Sequence, residues 1–263
     1  MKPPYELSRE YLELFGKKTI RSLRSRRVLP RYLGWLFSGV PLEGSTVYDI
    51  GGGTGLISFY AAEQGAKKVL CVEPLAEGSR DDMLTGFAEA QRTLRNGSRV
   101  SLERVELCQF AEQSHPPADV VILHNVVNHL DEDACRRISN NDESARASYI
   151  EQFRSFKGML RDNGILIIAD AGRDSFWTEI GVYNPFAPTI DRSVHQQPEI
   201  WQALLEQSGF ERQDIRWTPF LSLMMGVAPS PRPVSSRSLS SYYSLGHFAL
   251  RMRKHSTSAS DTL

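Results

Sequence analysis

The chain has no long hydrophobic run. No window approaches the roughly 18 uninterrupted apolar residues of a spanning helix, which excludes a helical membrane segment. It has no excess of either charge: 31 Lys and Arg stand against 31 Asp and Glu, so no overall field draws it to nucleic acid or an anionic bilayer. Cysteine is scarce. Cys71, Cys108 and Cys135 form neither a close pair nor a metal-type cluster, so they read as free, mostly buried thiols in a reducing cytoplasm, with no metal centre. The start, MKPPYELSREYLELF, is acidic and broken by prolines, unlike the basic-then-apolar order of a signal peptide. Internal repeats are absent.

What is present suits a packed core. In 263 residues, 41% are hydrophobic, enough for one large α/β domain. Net neutrality hides one local bias: Lys17, Lys18, Arg21, Arg24, Arg26, Arg27 and Arg31 run without an acid among them. That segment looks partly helical and ends at Pro30, before the apolar patch YLGWLFSGV. It reads as a helical N-terminal cap with a solvated basic face; a site for phosphate, carboxylate or a nucleic-acid backbone is the alternative.

From Ser45 strand and helix patterns alternate. Strands are expected in 46–50, 67–74, 100–110, 119–125, 164–170, 210–220 and 241–254, and helices over 56–66, 79–97, 149–160 and 198–210. Polar 138–148 reads as a loop or helix break, RDNG as a turn, and 228–241 as an extended connection. The alternation predicts a doubly wound, mostly parallel seven-stranded sheet with helices on both faces and an antiparallel last strand.

The chemistry concentrates in VYDIGGGTGLIS at 47–58. Glycines directly behind a strand let the chain turn into a helix and let a ligand approach bare backbone, beside unpaired helix N–H donors. A dinucleotide site wants G-x-G-x-x-G, and the third glycine is missing: Leu56 or Ser58 stands there. The observed order is Asp49, Gly51, Gly53, Gly55. An acid at that place repels a pyrophosphate and favours a cation or an amine. Glu73, in CVEP at the end of the second strand, sits where a carboxylate accepts hydrogen bonds from ribose hydroxyls.

This pair of motifs resembles those of class I S-adenosylmethionine-dependent methyltransferases, specifically over about 45–130 and topologically beyond. The resemblance implies S-adenosyl-L-methionine as cofactor, held by Asp49, Gly51, Gly52, Gly53, Gly55, Glu73 and Pro74. It places Gln109 or Phe110 at the adenine, where the family often has an acid. His124 and Asn125, in DVVILHNVVNHLDED, fall at the mouth of the fourth strand where cofactor and acceptor meet. The absence of N/D-P-P-Y/F there argues against base amines as acceptors. His129 is the expected general base, with His124 and Asp170 as further catalytic candidates. The segment 171–197 reads as an acceptor lid.

The implied organisation is a helical cap over the acceptor at 1–44, a methyltransferase domain at 45–254 and a flexible tail at 255–263. The expected acceptor is a small molecule rather than nucleic acid, with an oxygen, nitrogen or carbon nucleophile. A nucleic-acid methyltransferase using 17–31 and a cofactor-binding protein without turnover are the alternatives; an NAD dehydrogenase ranks below both.

Overall fold

The computed structural model describes residues 7–16, 28–74, 81–186, 190–219, 223, 239–244 and 246–255. Seven strands form one sheet in the order β3-β2-β1-β4-β5-β7-β6. They are β1 (Thr46–Ile50), β2 (Lys68–Val72), β3 (Val100–Glu103), β4 (Ala118–His124), β5 (Leu160–Ala171), β6 (Phe210–Trp217) and β7 (His247–Lys254). β1 to β5 pair in parallel, and β7 inserts antiparallel between β5 and β6, as the pattern predicted.

Side chains alternate between two cores, because successive strand residues face opposite ways. One face buries Val47, Val69, Val120, Ile122 and Ile167 under α1 (Arg9–Phe15), α2 (Val28–Leu36), α3 (Leu56–Glu63) and α4 (Asp81–Thr93). The other buries Val121, Leu123, Leu166 and Ile168 under α5 (Leu107–Glu112), α6 (Glu132–Ile138), α7 (Glu143–Met159) and α9 (Pro198–Gln207). Two short helices, α8 (Phe176–Glu179) and α10 (Leu239–Tyr243), pack on each other outside the sheet.

Several boundaries differ from the sequence reading. Pro30 does not end a helix but stands in the first turn of α2, where its missing N–H costs no hydrogen bond. Only 139–142 of the polar stretch 138–148 is a turn. Asp142 caps α7 by accepting from the Ala145 N–H at 2.9 Å, so the helix starts well before Tyr149. RDNG is not a free turn either: β5 begins at Leu160, opposite Ala118, and the register jumps so that Ile165 faces Val120. Asn163 absorbs the bulge at φ 59, a left-handed conformation asparagine tolerates. Residues 17–27, 228–238 and 256–263, which hold most of the basic run, most of the proline- and serine-rich connection and the tail, lie outside the described residues.

Candidate functional site

Parallel strands leave their C-terminal ends open to a crevice, and the predicted residues of β1, β2 and β4 meet there. Asp49 is 1% exposed on β1. The Ser58 hydroxyl donates to its Oδ2 at 2.6 Å, while Oδ1 is sealed without a partner among the described residues. Burial pushes this carboxyl up to about 7; the Ser58 hydrogen bonds pull it down and the charge of Glu73 pushes it further up.

The glycines behind it serve different ends. A Cβ on Gly52 would fall 2.4 Å from Cys71 Sγ and 2.8 Å from Asp49 Oδ2; one on Gly51 would fall 2.4 Å from Val126 Cγ2. Gly55 precedes α3 at φ 83 and abuts the Phe59 and Phe87 rings. Gly53 differs: at φ 53 its missing Cβ would meet nothing within 4 Å, so bare main chain borders open space. Its N–H donates to Glu73 Oε2 at 3.0 Å.

A cleft of about 750 Å³ opens at these strand ends, within the usual range for small-ligand sites. Gly51, Glu73, Pro74, Asn125 and His129 line it, with Leu107 and Cys108 of α5 as a further wall. Asp49, Gly52, Gly53, Gly55, His124, Gln109 and Phe110 are not among its lining residues. One turn of α5 leaves Gln109 exposed and carries Phe110 into the core, 4.1 Å between centroids from the His115 ring and edge-on to Tyr48.

His129 follows β4 by five residues. Glu132 Oε1 lies 2.7 Å from its Nδ1, and Asn128 Nδ2 lies 3.4 Å from its Nε2. A carboxylate only accepts, so Nδ1 is the donor to Glu132, and in the neutral ring Nε2 carries the lone pair. Asn125 takes an unusual φ of 56, with its N–H on Ala169 O at 2.8 Å and its Oδ1 2.9 Å from His247 Nε2.

His124 and Asp170 are not brought together. His124 pairs with Ala169, so Asp170 faces the other side of β5. There Asp170 is 1% exposed; its Oδ1 accepts from the Ala171 N–H and lies 3.3 Å from His195 Nδ1, and its Oδ2 has no partner among the described residues. His124 instead meets Tyr32 of α2, whose hydroxyl lies 2.7 Å from Nε2, and the His247 ring at 6.0 Å. Tyr32 and His247 escaped the sequence reading: the first lay in an apolar patch, the second inside a strand pattern. Among the described residues no group of three or more His, Cys, Asp or Glu could hold a metal ion.

No protein-family model matches this sequence, and no curated protein matches it. Solved structures do. An O-methyltransferase family 2 protein from Planctomyces limnophilus, in complex with apigenin, is 17% identical with a TM-score of 0.55; the match covers 94% of this chain and 62% of that one. The chain thus spans under two thirds of that relative's length. Magnesium protoporphyrin IX methyltransferase from Synechocystis, with bound S-adenosylmethionine, is 15% identical with a TM-score of 0.50, covering 93% and 89%. The [4+2]-cyclase SpnF is 15% identical with a TM-score of 0.54, covering 86% and 80%. The fold is that of the class I methyltransferases.

Proposed function

We propose that this chain binds S-adenosylmethionine in the cleft and transfers its methyl group to a small-molecule acceptor. The observation that carries the reading is the bare Gly53 turn between two carboxylates, one of them buried with an oxygen left over. A sealed carboxylate without a cation is expensive, and a ligand bearing positive charge relieves it. Asp49 and the 51–55 turn would hold the amino-acid end, Glu73 the ribose, and the Val105–Cys108 wall the adenine. The bound cofactor supplies a methyl carbon already activated by a sulfonium.

The chain's part is to align and dry the reacting atoms. Where the acceptor's nucleophile carries a proton, His129 takes it at Nε2, because Glu132 holds the Nδ1 proton and steadies the ring. Binding without transfer is the second reading, favoured by the likeness to a protein named as a cyclase.

Calorimetry with S-adenosylhomocysteine and with NAD tests the cofactor. S-adenosylhomocysteine should bind and NAD should not; the reverse result overturns the reading. Gly53→Val should abolish that binding while unfolding stays cooperative, since its side chain would enter open ligand space rather than the core.

A further inference from the structure

The Tyr32 hydroxyl is buried and has one partner among the described residues, His124 Nε2 at 2.7 Å. Two proton arrangements satisfy that distance. If the imidazole donates from Nε2, the Tyr32 O–H is left sealed without an acceptor, a cost of about 1–3 kcal/mol. If Tyr32 donates, both groups are satisfied and the ring proton sits on Nδ1. The electrostatics agree. Burial, and then the charge of Asp170, raise the Tyr32 pKa far above its usual value, so the phenol keeps its proton. Burial pulls His124 down to about 4, against the pull of Asp170, so the ring stays neutral. Burial also pulls the neighbouring His247 well below its usual value, and the charge of Arg192 acts in the same direction.

Nδ1 of His124 has no partner among the described residues, and it is not among the sealed unpartnered atoms; the residue is half-buried beside Asn125, which lines the cleft. Tyr32 is held in place from the far end of α2. Arg251 donates to Leu36 O and Ser38 O, each at 2.7 Å, and Arg216 donates to Ser38 O at 3.0 Å.

We propose that Tyr32 is a positioning residue that fixes the His124 proton on Nδ1. The mouth of β4 then presents a hydrogen-bond donor, and the acceptor is a molecule that places a lone-pair oxygen or nitrogen against it. His124 is a donor and not the base. That the recognised ligand is a methyl acceptor rests on the function proposed above; the proton arrangement does not.

The test is long-range proton–nitrogen NMR on the full chain labelled with ¹⁵N-histidine, with His124→Gln identifying the signal. His124 should show a protonated Nδ1 and a bare Nε2, with no titration between about pH 5.5 and 8. Tyr32→Phe, which keeps ring and volume, should move the proton to Nε2. A native His124 protonated on Nε2, or one that titrates near neutrality, overturns the proposal, and so does an unchanged tautomer in Tyr32→Phe. Should that variant fail to fold, the native tautomer alone decides. S-adenosylhomocysteine binding on the same samples separates the two claims. A native chain that does not bind it sinks the methyltransferase reading and leaves the tautomer standing. A roughly tenfold affinity loss in Tyr32→Phe, about 1.4 kcal/mol, assigns the donor to the cofactor carboxylate and overturns the acceptor assignment.

Discussion

If Asp49 holds the cationic end of the ligand as proposed, it should couple binding to protons. With its pKa raised to about 7, the carboxyl is partly neutral at physiological pH. A cationic ligand favours the ionised form, so binding should release a proton, and affinity for S-adenosylhomocysteine should rise as pH climbs toward about 7 and then level. Calorimetry in buffers of different ionisation heat measures both. Asp49→Asn should lose binding and the pH dependence together. For stability the sign is opposite: the neutral carboxyl's contribution is present below its ordinary pKa of 3.8 and lost as pH rises through about 7. Asp49→Asn should therefore unfold at higher temperature than the native chain at alkaline pH. The second residue-scale prediction concerns His129. If it is the base proposed above, its replacement by alanine should cut turnover about 10²-fold while leaving cofactor affinity nearly unchanged. Single-turnover rates with and without the imidazole would decide.

At the scale of elements, local chemistry was readable where it is self-contained. Asp131 caps α6 by accepting from the Ala134 N–H at 2.9 Å, and Pro198 opens α9 at the expected helix start. The adenine end was harder to read. In α5, whether position 109 or 110 faces the ligand depends on a helix of six residues whose phase is set by packing, and packing put Phe110 under Tyr48. The link between α2 and the sheet was not readable at all. Arg251, 3% exposed, and Arg216 bond the last carbonyls of a helix about two hundred positions earlier, with Asp214 2.9 Å from Arg216 and 3.8 Å from Arg251. Arg251→Met should cost about 1–3 kcal/mol, since it orphans the buried Leu36 carbonyl and removes a cation from beside Asp214. Urea unfolding measures the loss. If α2 positions the site, the same variant should weaken turnover more than it weakens cofactor binding.

Across the whole molecule the buried titratable groups set opposite limits. His124 is lowered to about 4, mainly by burial, and His247 well below its ordinary 6.5. A base whose folded pKa is depressed contributes stability above its unfolded pKa and loses it as pH falls through the folded one. The two windows overlap: between about pH 4 and 6.5 the histidines should add stability as pH rises while Asp49 removes it, and above about pH 7 neither group changes it further. Thermal unfolding across pH, with Asp49→Asn steepening the rise and His247→Phe flattening it, checks this. Saturating S-adenosylhomocysteine should add most stability at about pH 7 and above, because it stabilises the ionised carboxylate.

The alternation of strands and helices, the bend behind β1 and the two carboxylates flanking it were legible in order along the chain. Each is a local matter: side-chain period two or 3.6, a residue without a Cβ, an acid at a strand tip. The mouth of β4 was decided elsewhere. Tyr32 stands 92 positions before His124, and His247 stands 122 after Asn125. They meet because β7 slots between β5 and β6, setting His247 opposite Ala171, and because two buried guanidiniums dock α2 against that edge. Such pairings form by burying apolar faces across long loops. No local pattern encodes which distant faces will match, so the identity of the groups around the mouth of β4 belongs to the folded molecule alone.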